Sequence, residues 1–218
     1  MKIALKSDFR DCYDKYFTTT LMPYDAIFTR VMKTFVPKHQ QFQVLSHMGL
    51  STPLIGIIRD MFNAGHRLDQ WVVVYGDLFE HASGGKRIML LKDAMEFYPD
   101  NFCSVFIEPK ENATSYRFLQ VGARAFWLKY KSDDQWRSNV GDVKVEVLRE
   151  TDPKYAIGYP LLGIDFIEHV DGGLDKRDAI DFNTSPSLTP LMVDGFMTEK
   201  QMYQEIHNWF FGCKDARF

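Results

Sequence analysis

The sequence predicts an α+β protein with mostly antiparallel sheets and flanking helices, and three observations support this class. Apolar residues recur at helical spacing in the first third of the chain, as in KHQQFQVLSHMG. From QWVVVYGD onward, short runs rich in Val, Ile, Phe and Tyr follow one another at strand length, separated by turn residues. Most of these runs are joined by turns rather than helices, which favours antiparallel pairing. A last helical segment, TEKQMYQEIHNWFF, follows the strands.

The expected elements follow in chain order from these patterns. A short strand is expected in MKIALK and helices in YDAIFTRVMKTF and KHQQFQVLSHMG, the second ending at Gly49 before Pro53. A short helix is expected in TPLIGIIRDMF, and another in LKDAMEFYPD between two strands. Thr198 is the expected N-cap of the last helix, with an acid at the next position. The strands are expected at residues 71–75, 87–91, 103–108, 116–121, 125–130, 143–148, 161–167 and 179–182.

Composition and charge exclude several classes of protein. The chain has 218 residues, 45% of them hydrophobic and 25% charged, which is ordinary globular composition for one large domain or two small lobes. A net charge of −3 gives no overall attraction to nucleic acid or to an anionic membrane surface. The three cysteines are far apart and form no C-x-x-C pair. With no apolar run of signal-peptide or membrane-spanning length, a cytoplasmic protein is expected.

Oxygen-bearing side chains lie on two neighbouring runs in the second half of the chain. GIDFI carries Asp165, and AIDFNTSPSL carries Asp181 and Asn183. Because residues i and i+2 of a strand share a face, Asp181 and Asn183 are expected to point together while Ile180 points the other way. The pattern therefore predicts a pair of oxygen ligands on one surface.

Several segments resemble the ATP-grasp ligases, and they occur in the family's order from about residue 38 to 190. GIDFI followed by AIDFNTSPSL resembles the family's closing metal motif, and VFIEP occupies the place of its adenine-binding hinge. SYRFLQVGARAFWLKYKSDDQWRSN resembles a stretch of the ligases that add glutamate or other amino acids to proteins and peptides. HQQFQVLSHMGLSTP resembles the family's first helix and its following turn. The resemblance implies two small lobes around a nucleotide.

The resemblance also implies roles for individual residues. Asp165, Asp181 and Asn183 would hold Mg²⁺, a hard cation that takes oxygen ligands, although the family more often has Glu where Asp181 stands. Arg117 and Arg137 would contact phosphates or the acyl-phosphate formed during reaction. Taken singly, each acid could simply cap a turn and each arginine could make a surface ion pair. The implied adenine hinge comprises Phe106, Ile107 and Glu108.

VVVYGDLFEHASGGKRIMLL occupies the place of the family's lysine strand and mobile glycine loop. Where that strand would end in Lys-Pro, this chain has Tyr75 and Gly76, so Lys86 is the nearby ammonium. The resemblance implies that Lys86, with Gly84 and Gly85, cradles the phosphates. A Gly-Gly pair between two strands is also a good hairpin turn, and both interpretations stay open.

These residues together predict an ATP- and Mg²⁺-dependent carboxylate–amine ligase that acts through an acyl-phosphate. Its partners would be ATP and a carboxylate and amine pair, each a small molecule, a peptide or a protein. The alternatives are a nucleotide-binding or interaction module with a degenerate ATP-grasp fold, and a kinase-like phosphotransferase.

The chain resembles a reduced version of the family, like small uncharacterised ATP-grasp proteins of bacteria and their phages. Few residues precede the first matched helix, and strand and loop follow RSN where the family has a long helix. We expect an N-terminal helical segment with one short strand (1–66), a small nucleotide-covering lobe (67–108), and a metal-binding lobe with the terminal helix (109–218).

Overall fold

The computed structural model describes residues 37–76, 85–155, 161–170, 176–183 and 186–212. The strand expected in MKIALK and the helix expected in YDAIFTRVMKTF lie outside these ranges. The strands of the described chain are β1 (Ile55–Ile57), β2 (Trp71–Tyr75), β3 (Lys86–Leu90), β4 (Phe102–Val105), β5 (Thr114–Val121), β6 (Arg124–Lys131), β7 (Lys144–Thr151), β8 (Leu161–Glu168) and β9 (Arg177–Asn183). The helices are α1 (Lys38–His47), α2 (Ile58–Asn63), α3 (Leu91–Phe97), α4 (Thr189–Val193) and α5 (Glu199–Gly212).

The smaller sheet has four strands in the order β1-β4-β2-β3, each pair antiparallel. Successive side chains along each strand point to opposite faces of the sheet. One face packs against helices α2 and α3, where Ile58 and Leu91 are completely buried beside Val72 and Val74. The opposite face carries Val73 and is turned toward the rest of the molecule, where it packs in a different cluster.

The larger sheet has five strands in the order β7-β6-β5-β8-β9, again antiparallel throughout. Helices α4 and α5 cover one of its faces, where Leu191, Met202 and Ile206 pack against Leu119 and Leu128. Helix α5 begins with a reciprocal cap, because the Thr198 hydroxyl accepts the Gln201 N–H and the Gln201 side chain accepts the Thr198 N–H. The predicted Thr198 cap is confirmed.

Helix α1 packs against both sheets. Its buried residues Phe42 and Leu45 belong to a cluster that includes Val73 and Phe102 of the smaller sheet and Phe182 of the larger one. Phe42 and Phe102 lie with their ring centroids 6.3 Å apart. Because one helix packs against both sheets, its first turn is held near the edge where the sheets face each other.

The structure confirms the predicted α+β class with two mostly antiparallel sheets. Two short elements, β1 and α4, were not predicted. Strand β1 has only three residues, contains Gly56, and lies directly before α2 in a stretch that was expected to form helix. It pairs with β4, so the smaller sheet takes its first strand from the segment expected at 1–66. Helix α4 has only five residues, too few for a periodic pattern.

No helix in the described ranges is both long and apolar enough to cross a membrane.

The hairpin turn between β5 and β6 should be intolerant of any side chain at Gly122. This glycine has φ +60°, and a Cβ atom there would overlap the carbonyl oxygen of Glu205 in helix α5. We expect Gly122→Ala to cost more than the roughly 1–2 kcal/mol of a left-handed conformation alone, because helix α5 must also shift.

Gly65→Ala is the matched control, since Gly65 has φ +80° with nothing within 4 Å of its Cβ position. Urea unfolding measures both free energies. Equal losses in the two variants would contradict the close approach of α5 to this turn.

Candidate active site

The centre of the site is a row of three side chains across three strands. In the register of the larger sheet, Arg117 of β5 lies directly opposite Asp165 of β8, and Asp165 lies directly opposite Asp181 of β9. Residues directly opposite each other in an antiparallel pair project on the same face. The row therefore places one arginine and two acids side by side on one surface.

Arg117 and Asp165 form a bidentate ion pair. The Nε and Nη2 atoms of Arg117 donate to the two carboxylate oxygens of Asp165 at 2.6 and 2.7 Å, and Nη1 donates to the Tyr130 hydroxyl at 3.2 Å. The two side chains are only 13% and 16% exposed. Burial lowers the pKa of Arg117, but the charge of Asp165 and the hydrogen bonds to it, together with Tyr130 and Asp181, outweigh burial, so the pKa lies above its ordinary value. The guanidinium is permanently charged.

Lys38, the first residue of α1, pairs with the second acid of the row. Its Nζ donates to Asp181 Oδ1 at 2.6 Å and to the carbonyl oxygen of Ile180 at 2.7 Å, and the side chain is only 7% exposed. Ile180 is the extra residue of a β-bulge, because Asp165 pairs with Asp181 while the next residue of β8, Phe166, pairs with Ala179. The bulge leaves the Ile180 carbonyl outside the ladder, where it accepts from Lys38.

The charges around Asp181 keep both members of this pair ionised. Burial raises the pKa of Asp181, but the positive charge of Lys38, followed by those of Lys86 and Arg117, lowers it to about 2. Burial likewise lowers the pKa of Lys38, but the charge of Asp181, the hydrogen bond to it and the nearby Tyr75 and Asp165 together outweigh burial, so the pKa stays above its usual value. The formal charges of the cluster of Lys38, Arg117, Asp165 and Asp181 balance, with two positive and two negative.

The row forms one wall of a cleft between the two sheets. The smaller sheet contributes Val73, Tyr75 and Lys86, and the Lys86 Nζ lies 5.8 Å from the centroid of the Tyr75 ring. Phe106 and Ile107 follow strand β4, at the start of the connection between the smaller and the larger sheet, and they close that end of the cleft. The cleft is thus apolar toward the connection and charged toward the row, which suits a ligand with one apolar and one anionic end.

The segment between β6 and β7 forms another side of the cleft. Arg137 lines it and pairs with Asp134, with Nη2 to Oδ2 at 2.8 Å. The preceding Trp136 meets Phe106 edge to face, with ring centroids 6.4 Å apart at 86°. Ser138 donates to or accepts from Ser115 of β5 at 2.6 Å. These contacts fix the segment against both the connection and the larger sheet.

The cleft brings together most of the residues singled out from the sequence. Those that line it are Lys86, Phe106, Ile107, Arg117, Arg137, Asp165 and Asp181. Glu108 is exposed and lines an adjoining outer groove with Trp71 and Ile88. Asn183 lies opposite Gly163 in the ladder, on the same face as Asp181, but outside the cleft lining. Gly85 has φ +67° and bonds the Gly76 N–H through its carbonyl, whereas Gly84 lies outside the described residues.

Sequence reasoning missed Lys38, Tyr75, Tyr130 and Trp136. Tyr75 was noted only as a departure from the family's lysine, and Tyr130 only as part of a strand. The available signal for Lys38 was its place directly after Pro37, at the first turn of a helix within the resemblance. Nothing local linked it to Asp181, which lies 143 positions away.

The donor chemistry of the two acids of the row and of the neighbouring Asn183 fits Mg²⁺. Asp165, Asp181 and Asn183 offer hard oxygen atoms of the kind this cation takes. Within the part of the chain that the structure describes, His, Cys, Asp and Glu side chains form no group of three or more that could hold a metal ion by themselves. Because Lys38 and Arg117 neutralise both acids, a divalent cation gains little here alone, and fits best together with the negative charge of a polyphosphate.

Comparison with solved structures identifies the fold. The chain is similar to the ATP-grasp ligase PsnB complexed with a phosphomimetic variant of a minimal precursor, Mg and ADP, with a TM-score of 0.56 and 13% identity, over 80% of this chain and 59% of that chain. It is similar to the macrocyclase MdnC from Microcystis aeruginosa MRC, bound with the precursor peptide MdnA, with a TM-score of 0.52 and 13% identity, over 95% of this chain and 74% of that chain.

A third similar structure is a Chryseobacterium gregarium RiPP-associated ATP-grasp ligase in complex with ADP and a leader and core peptide, with a TM-score of 0.50 and 14% identity, over 98% of this chain and 72% of that chain. No protein-family model matches the chain, and no curated protein matches it. The chain therefore has the ATP-grasp fold, as the resemblance of its motifs predicted. The match spans less than two thirds of PsnB.

The ion pair between Lys38 and Asp181 should be visible in the pH dependence of stability. The pKa of Asp181 is lowered to about 2 in the folded protein, whereas its pKa in the unfolded chain is about 3.9. Its contribution to the free energy of unfolding is therefore complete above about pH 3.9 and is lost as the pH falls through about 2. In Lys38→Met the pKa of Asp181 should rise. The free energy of unfolding should therefore fall less between pH 4 and pH 2 than in the wild type.

Urea unfolding at several pH values measures this difference, with Lys92→Met on the exposed side of α3 as the control. The control should keep the wild-type pH dependence. An identical acid profile for Lys38→Met would show that Lys38 does not hold Asp181 in its ionised form.

Proposed function

We propose that the protein is an ATP- and Mg²⁺-dependent carboxylate–amine ligase. The observation that carries the proposal is the row Arg117, Asp165 and Asp181, which lines one cleft together with Lys86 and Arg137. The ATP-grasp fold supports the same conclusion, because the similar structures are ATP-grasp ligases.

The shape of the cleft supports one orientation of the nucleotide. The base would lie at the connection between the sheets, against Val73, Phe106 and Ile107, whose apolar side chains suit a planar ring. Glu108 would lie at the outer end of this slot. The phosphates would then extend toward the charged end of the cleft, where Lys86, Arg117 and Arg137 lie. Gly84 and Gly85, which directly precede Lys86 in the sequence, would help to cradle them.

Asp165, Asp181 and Asn183 would hold Mg²⁺, which when bound neutralises charge on the β- and γ-phosphates. Lys38 keeps Asp181 ionised, and the two hydrogen bonds from Arg117 orient Asp165. Oδ1 of Asp181 accepts from Lys38, while Oδ2 makes no hydrogen bond within the described residues. One oxygen of this carboxylate is therefore available without breaking the ion pair.

The proposed reaction needs no protein nucleophile. A substrate carboxylate oxygen attacks the γ-phosphorus and ADP leaves; an amine nitrogen then attacks the acyl carbon, phosphate leaves, and the nitrogen loses a proton. The protein contributes position and charge, which can supply most of the rate of such transfers. Arg137 and Lys86 would stabilise the negative charge that moves with the phosphoryl group.

The acceptor proposed for the first tests is a peptide or protein. The structures of PsnB, MdnC and the Chryseobacterium gregarium ligase each contain a precursor or a leader and core peptide. A small-molecule carboxylate and amine pair would use the same chemistry. Neither choice changes the roles proposed for the row.

A specific observation favours a second candidate, a nucleotide-binding module without turnover. Both acids of the row are already neutralised, Asp165 by Arg117 and Asp181 by Lys38. Tyr75 also stands where the family has its strand lysine. Such a module would bind ATP and release no product.

Arg137→Lys separates these candidates. If the guanidinium contacts negative charge that develops during phosphoryl transfer, lysine keeps the positive charge but loses the bidentate contact. Turnover should then fall by roughly 10²–10³-fold while ATP affinity changes little. Steady-state ADP release and calorimetry with ATP and Mg²⁺ measure the two quantities. Arg149→Lys, at an exposed position on β7, is the control and should keep wild-type turnover.

Product analysis completes the test. An amide product supports the ligase, and a phosphorylated hydroxyl would identify a phosphotransferase instead. Tight ATP binding with no ADP release, across peptide, protein and small-molecule acceptors, would favour the binding module. Equal turnover in Arg137→Lys and the wild type would remove Arg137 from the chemistry.

A further inference from the structure

The carboxylate of Asp134 is the hydrogen-bonding centre of the segment between β6 and β7. Its Oδ1 accepts the backbone N–H groups of Trp136 and Arg137 at 3.0 and 2.8 Å. Its Oδ2 accepts from Arg137 Nη2 at 2.8 Å, and Arg137 Nε lies 3.3 Å from both oxygens. One side chain therefore fixes the backbone and the guanidinium of the same arginine.

The backbone of this segment is also held by contacts that do not involve the guanidinium. The Ser132 hydroxyl accepts the Asp134 N–H at 3.1 Å and donates to the carbonyl oxygen of Arg137. Asp133 Oδ1 accepts the Asp142 N–H at 2.8 Å and closes the segment from its other end. The ion pair between Asp134 and Arg137 is thus additional to what the turn needs.

The guanidinium of Arg137 is restrained by an aromatic ring over its planar face as well as by the hydrogen bonds of its N–H groups. Its central carbon lies 5.6 Å from the centroid of the Trp136 ring, and that ring packs against Phe106 at the connection between the sheets. Nη1 of Arg137 makes no hydrogen bond within the described residues, and Arg137 lines the cleft that also contains Asp165. Two contacts hold the group, and one nitrogen is left for a ligand.

We propose that Asp134 is a positioning residue that holds Arg137 ready for the transferring phosphoryl group, an inference that rests on the proposed function. A guanidinium fixed before the ligand arrives needs no reorganisation when charge develops. A flexible arginine would first lose its side-chain freedom, which weakens each contact that it makes. Hydrogen bonds from Arg137 hold the pKa of Asp134 well below its usual range, so this carboxylate stays charged at neutral pH.

The test uses Asp134→Asn and a probe that needs no acceptor. Asparagine can still accept the two backbone N–H groups through its oxygen, but it loses the charge and the second acceptor that Arg137 uses. ADP with Mg²⁺ and aluminium fluoride imitates the transferring phosphoryl group, whereas ADP with Mg²⁺ alone does not. The measured quantity is the gain in affinity on adding aluminium fluoride, determined by calorimetry.

In Asp134→Asn this gain should fall by roughly 10- to 100-fold, the usual range for a hydrogen bond to a charged group, while the affinity for ADP with Mg²⁺ stays unchanged. Asp133→Asn is the control, with the same charge change in the same segment, and should keep the full gain. In an Arg137→Ala background the Asp134 substitution should have no further effect, because the two residues act as a unit.

Three results would overturn the inference: a full gain in Asp134→Asn, a loss in this variant that persists without the Arg137 side chain, or an equal loss in Asp133→Asn. Failure of the proposed function is read from the wild type instead, which would then bind neither nucleotide probe, or would bind ADP with Mg²⁺ and gain nothing from aluminium fluoride.

Discussion

The register of strands β5, β8 and β9 is the constraint on which the site depends. It places Arg117, Asp165 and Asp181 in one row, and a slip of one residue in β8 would turn Asp165 to the other face. The bulge at Ile180 is part of the same arrangement, because it keeps Asp181 opposite Asp165 and frees a backbone carbonyl for Lys38. Packing of helix α1 against both sheets then brings the Lys38 ammonium to this row.

Charge balance links the stability of the fold to the chemistry of the cleft. Removing one partner of a buried ion pair typically costs about 3–5 kcal/mol, because it leaves the other charge buried and alone. Arg117 and Asp165 are mostly buried, so the pair belongs to the structure as well as to the site. The formal charges of Lys38, Arg117, Asp165 and Asp181 balance, and the cationic groups of Lys86 and Arg137 line the same cleft, where they face a ligand that carries several negative charges.

Local patterns predicted more of the fold than of the site. Alternation was enough to place Asp181 and Asn183 on one face, and the strand containing Asp165 was expected within one residue of its observed end. The pairing of Lys38 with Asp181 could not be predicted, because it joins the start of a helix to a strand far along the chain. The position of Asp134 was hidden for another reason: in KSDDQW it reads as a solvated turn, and only the folded segment shows that its carboxylate accepts from Arg137.

The most direct test of the account is a crystal structure of the protein with a non-hydrolysable ATP analogue and Mg²⁺. The account predicts the base between Val73 and Phe106, the triphosphate along Lys86 and Arg137, and the cation bonded to oxygen atoms of Asp165 and Asp181. A nucleotide bound elsewhere on the molecule, or bound in the cleft with its phosphates away from the row, would contradict it.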